Sequence, residues 1–178
     1  MRTNNAMVTW RTLRFLSLLS LSYAFGPKCR ITFESATVDY VDERCMTARA
    51  SIYDHNSTFK NVISVTNLFK IDLPDSFKMT FTTKKWVKNG YKITIMHIEK
   101  PLKSIIQWQL FGIQKFCMEH SRPPFTWPVA YQVSGITIDC SSYPPNLPDG
   151  RWLTVVGMAF ANKTRVMEMS FKLLMEYV

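Results

Sequence analysis

The stretch Asp75–Lys100 reads DSFKMTFTTKKWVKNGYKITIMHIEK, and its pattern decides the fold class. Phe77, Met79 and Phe81 alternate with Lys78, Thr80, Thr82 and Lys84, the period-two signature of a strand with one oily and one wet face. Asn89-Gly90 marks a turn. A two-residue loop at Asn89-Gly90 pairs Lys88 with Tyr91 and sets Ile93 and Ile95 behind Lys84. A three-residue loop, Lys88-Asn89-Gly90, pairs Val87 with Tyr91 instead. Phe77, Met79, Phe81, Val87, Tyr91, Ile93 and Ile95 then share one face, because parity is constant along an unbroken strand. The three-residue version is expected, with Gly90 as the left-handed residue in the third loop place. So wide an apolar face must meet a second sheet or a ligand.

Working outward, the preceding segments also read as strands: Arg30–Val41, Thr47–Asp54 and Thr58–Ile71. In the last of these Phe59, Ile63, Val65, Phe69 and Ile71 fall on one parity. Leu73-Pro74-Asp75 ends it, since proline has no N–H for a ladder. After the hairpin, Pro101 opens a helix to about His120, proline being suited to the first helical turn. Leu102, Ile105, Ile106, Gln109, Ile113, Phe116 and Cys117 line one side of it at spacings of three and four. That stripe fits first a helix packed on a sheet, and otherwise one lying over a hydrophobic opening.

Ser121–Pro128 is a proline-rich loop with Phe125 and Trp127, residues that suit a docking surface if exposed. Tyr131–Cys140 reads as a strand and Ser141–Gly150 as a long turn region. Trp152–Phe160 and Arg165–Val178 form a closing hairpin. In its second strand Met167, Met169, Phe171, Leu173, Met175 and Tyr177 make one oily face. Methionine is pliable, so this face serves as plain core or as the wall of an adaptable cavity. The fold class expected is mainly β: a two-sheet antiparallel β-sandwich with one helix around 101–120.

The first residues suggest export. Arg2, Arg11 and Arg14 precede FLSLLSLSYAF, Phe15–Phe25, too short to span a bilayer. A basic flank, an apolar centre and small residues at Ser22 and Ala24 make residues 1–24 a secretory signal, with residues 25–178 as a single domain. Cleavage there removes three arginines from the formal net charge of +9. The remaining charge has no dense basic stripe and matches no nucleic-acid-binding motif. Attraction to an anionic membrane surface or to acidic glycans remains open. The four cysteines, Cys29, Cys45, Cys117 and Cys140, imply disulfides in an exported chain, with three connectivities open. Asn56-Ser57-Thr58 and Asn162-Lys163-Thr164 are N-glycan acceptor triplets.

No Gly-x-Ser-x-Gly elbow or His-Glu-x-x-His helix is present, and His55, His97 and His120 are scattered. The expectation is therefore a protein that is not an enzyme, with no cofactor and no metal.

The order of elements resembles a known family. An apolar hairpin with Asn89-Gly90-Tyr91 is followed by a cysteine-bearing helix, Ser104–Cys117. A proline-rich loop and another cysteine come next, then the turn Leu147-Pro148-Asp149-Gly150-Arg151-Trp152 leading into the closing hairpin. This layout, from Cys29 to Val178, resembles the insect CheA/CheB-type secreted chemosensory proteins, distantly similar to the ganglioside activator and the lipid-recognition sandwiches. The resemblance implies a β-cup whose sheets splay around an apolar molecule, and a role in chemosensation or pheromone response. It also implies a disulfide between Cys117 and Cys140, which leaves Cys29 with Cys45.

The function expected is an extracellular carrier for a lipid or pheromone-like molecule. Its binding residues would be Phe77, Met79, Phe81, Ile93, Ile95, Met167, Met169, Phe171 and Leu173. Each buried methylene of such a ligand contributes about 0.8 kcal/mol. The alternative is a secreted interaction module with a filled core, binding a receptor or another protein through its loops.

Overall fold

The computed structural model describes residues 29–54, 60–106 and 147–177, together with the backbone of 129–136. The expected signal segment, the Asn56 sequon, most of the expected helix, Phe125, Trp127, Cys117 and Cys140 lie outside the described residues. The described chain is mainly β. In order it forms β1 (Cys29–Val41), β2 (Met46–Tyr53), β3 (Val62–Phe69), β4 (Lys78–Trp86), β5 (Tyr91–Pro101), α1 (Leu102–Ile106), β6 (Val129–Ile136), β7 (Gly150–Ala159) and β8 (Arg165–Tyr177).

Two antiparallel sheets result. The larger has the strand order β1-β8-β7-β4-β5 and the smaller the order β2-β3-β6. The chain passes from one to the other at Asp42–Cys45. There Arg44 donates from its backbone N–H and its guanidinium to the Asp42 carboxylate at 2.8–3.1 Å. Cys45 N–H and Met46 N–H both donate to the Asp42 carbonyl. Asp42 thus satisfies the backbone of a sharp corner, which has no ladder of its own.

The apolar parities read from the sequence carry the core. Met167, Met169, Phe171, Leu173 and Met175 of β8 are buried, with Trp152, Val156 and Met158 of β7 beside them. Met46, Ile63 and Phe69 of the smaller sheet belong to the same buried cluster. Phe77 is its most enclosed aromatic. It stands edge-on to Phe69 and to Phe160, with ring centroids 6.3 and 5.4 Å away.

The central hairpin departs from the expected loop. Trp86, not Val87, pairs with Tyr91. Val87 N–H donates to the Gly90 carbonyl at 2.7 Å, and Lys88 and Asn89 both have positive φ. This is a two-residue turn of the type I′ kind centred on Lys88-Asn89, one residue earlier than Asn-Gly suggests. Its twist matches that of the flanking strands, and Asn tolerates the left-handed region better than most side chains. Register shifts then follow between Lys85 and Trp86 and between Thr83 and Lys84. They leave Lys92 and Ile95 as unpaired extra residues in β5. The expectation of one unbroken parity therefore fails: each extra residue resets which side the next side chain takes.

Pro101 closes β5 opposite Lys78, and helical structure begins at Leu102. The expected pairing of Cys29 with Cys45 also does not hold. Cys45 carries a free thiol, whereas Cys29 is disulfide-bonded. The partner of Cys29 lies outside the described residues.

Candidate ligand-binding face

The larger sheet places its inner residues in cross-strand rows. One row runs Val38, Met169, Val156, Phe81, Ile98 from β1 to β5. The next runs Ala36, Phe171, Thr154, Thr83, Met96, and the one beyond it Phe33, Leu173, Trp152, Lys85, Ile93. Directly paired residues point to the same side of a sheet, so these rows form one continuous face.

Burial falls off toward β5 in the first and third rows, whereas Thr83 in the second is still buried. Over β8 and β7 the side chains of these rows are buried except for half-buried Thr154. Phe81 and Met79 on β4 are half-buried, as are Met96 and Ile98 on β5, and Ile93 is 48% exposed. The apolar face is thus wider than the part that is fully covered.

The nine residues expected to bind a ligand divide accordingly. Phe77, Met167, Met169, Phe171 and Leu173 lie in the buried cluster, and Met79 and Phe81 pack against it. Ile93 sits at the outer end of its row, and Ile95 is one of the extra residues of β5, 38% exposed. Met96 and Ile98 continue the rows of β4 instead. Strict alternation hid them, because nothing in ITIMHI marks where a bulge falls. Trp152, Val156 and Met158 also belong to the face, and their alternate spacing in WLTVVGM was legible.

Polar groups on this face are few. Thr83 Oγ1 and Thr154 Oγ1 lie 3.1 Å apart and satisfy each other. Asn67 shares the parity of Val65 and Phe69 in β3, and its Oδ1 is buried with no hydrogen-bond partner among the described residues. Lys85 is half-buried between Trp152 and Ile93 at the margin.

The opposite face of the larger sheet is wet. Lys78 donates to Glu99 at 2.6 Å, Arg151 to Glu34 at 2.9 Å, and Thr82 meets His97 Nδ1 at 2.9 Å. Its aromatic corner is Trp86 edge-on to Tyr91, centroids 4.9 Å apart. Burial, with the Glu34 carboxylate nearby, pushes the Tyr91 phenol upward, against the opposing effect of Arg151.

The turn before β7 explains its own composition. Trp152 Nε1–H donates to the Pro148 carbonyl at 3.1 Å, and Tyr177 O–H donates to the Leu147 carbonyl. Gly150 has φ +107°, a conformation that side chains rarely adopt.

Among the described residues no group of three or more His, Cys, Asp or Glu gathers as a metal ion requires. No described helix is long and apolar enough to cross a membrane.

Comparison with protein-family models and with curated proteins finds no match to this chain.

Proposed function

We propose that this chain is an extracellular binding protein for a small apolar ligand, held between two splayed sheets of a β-sandwich. The observation that carries this reading is the burial gradient across the inner face. Side chains enclosed over β8 give way to half-buried Phe81, Met79, Met96 and Ile98, an apolar surface ready to take alkyl carbons. Such burial contributes about 25 cal/mol per Å² of apolar surface.

Asn67 Oδ1 supports the reading from the smaller sheet, as a buried acceptor that no described residue satisfies and that a ligand hydroxyl could pair with. The resemblance of the layout to the CheA/CheB-type proteins, including the Leu147–Trp152 turn, supports a role in chemosensation or pheromone response. Secretion rests on residues 1–24 and on the sequons. Asn162 is exposed at the β7–β8 turn.

The test is extraction and native mass spectrometry of protein from a eukaryotic secretion host, followed by titration with fluorescent fatty-acid probes. Co-purified lipid, or probe binding weakened by Phe81→Ala, supports the carrier. A protein that binds no probe and carries no lipid refutes it. The interaction-module reading then gains, since β5 is an edge strand with exposed Ile93 and Ile95.

A further inference from the structure

We propose that the distal end of the β4–β5 hairpin docks on an anionic lipid bilayer. From Ser76 to Ile98 the chain contains no Asp or Glu, while Lys84, Lys85, Lys88 and Lys92 crowd around the turn. None of these four makes an ion pair with a described residue; the paired cations are elsewhere. The acid felt at this corner is Glu34, and Arg151 already holds it at 2.9 Å. The tip therefore presents unneutralised positive charge.

The same tip holds three of the four exposed large hydrophobic residues of the described chain: Trp86, Ile93 and Ile95. Trp86 is fixed rather than loose, because its ring stands against Tyr91. The strand that carries both isoleucines is the last in its sheet, so none of the described strands covers its outer edge.

Cations and apolar side chains together select the partner. A soluble polyanion would neutralise the lysines and leave Trp86, Ile93 and Ile95 in water. A second copy of the same tip would set lysine against lysine. An anionic bilayer accepts both: headgroups attract the lysines, and the interfacial zone takes tryptophan and aliphatic side chains. This inference does not depend on a ligand between the sheets, since a chain with a filled core would dock in the same way.

The test uses the purified protein and sedimentation with vesicles of phosphatidylcholine alone or with about one-third phosphatidylserine. Association is expected with the anionic vesicles and is expected to weaken with added salt. Each lysine near such a surface is worth about fivefold in partition, so Lys84→Gln, Lys88→Gln and Lys92→Gln together should lower it on the order of a hundredfold. Lys163→Gln, at the opposite end of the sheet, should leave it unchanged. Brominated lipid should quench tryptophan emission in the parent and much less in Trp86→Phe. An unshifted thermal midpoint in each variant shows that folding is intact. Equal partition to both vesicle types, an undiminished triple variant, or retention on heparin without vesicle association would overturn the proposal.

Discussion

Thr83 Oγ1 lies 3.1 Å from Thr154 Oγ1, a hydroxyl pair in the middle of an otherwise apolar row. Each side chain satisfies the other, so the pair stands or falls together. Thr83→Val strands the Thr154 hydroxyl and is expected to cost about 1–3 kcal/mol. Thr83→Val with Thr154→Val should be close to neutral, because no polar group is then left over. A double-mutant cycle by urea unfolding measures the coupling. Equal, additive losses would mean that the hydroxyls do not depend on each other.

The core and the half-buried margin should respond differently to truncation. Phe77, 1% exposed and flanked by two aromatic rings, should lose about 3–5 kcal/mol on replacement by alanine. Phe81→Ala should cost clearly less in stability and more in probe affinity. Denaturant melts and probe titration on the two variants separate these roles. A Phe81→Ala protein as unstable as Phe77→Ala would make Phe81 simple core.

Asp42 ties stability to acid. The Arg44 side-chain hydrogen bonds, the largest effect, hold its carboxyl down at about 2, although burial works the other way. A carboxyl with a lowered folded-state pKa stabilises the fold fully above its unfolded value. That stability is lost as pH falls, here between about 4 and 2. Melting temperature followed from neutral pH downward should drop through that window, and Asp42→Asn should remove part of the slope. A variant with the parent's full acid profile would assign the slope to other groups.

Two turns test backbone conformation alone. A methyl on Gly150 meets open space, yet φ is +107°, so Gly150→Ala should cost about 1–2 kcal/mol without any clash. Asn89, at φ 71°, occupies the second left-handed place of the hairpin turn. Asn89→Gly should stabilise by up to about 1 kcal/mol. Thermal midpoints moving in the opposite sense would refute these assignments.

Cys45 should behave as a thiol. Burial and the adjacent Asp42 push it upward, so alkylation of the native protein at neutral pH should be slow and that of the unfolded, unreduced protein fast. Peptide mapping after labelling should find the label on Cys45 and none on Cys29. A Cys29–Cys45 cross-link in that map would reverse the assignment.

Much of this molecule was legible as alternation. The oily parities of Met167–Met175 and of Ile63–Phe69 are the ones that meet in the core, because a strand offers only two sides and burial picks the apolar one. The extents of β1, β2 and β8 were legible to within a residue, whereas β7 begins two residues earlier than expected, at Gly150. Free-standing periodicity was blind to β5. Its two extra residues are set by how the strand must twist against β4, a demand that no residue type in YKITIMHI announces. Strand identity and inward parity were thus determined by local chemistry. Which isoleucines point outward, and that Cys45 does not pair with Cys29, were decided by tertiary pairing. Those properties depend on distances between segments far apart in the chain, and on backbone hydrogen bonds that carry no side-chain signature.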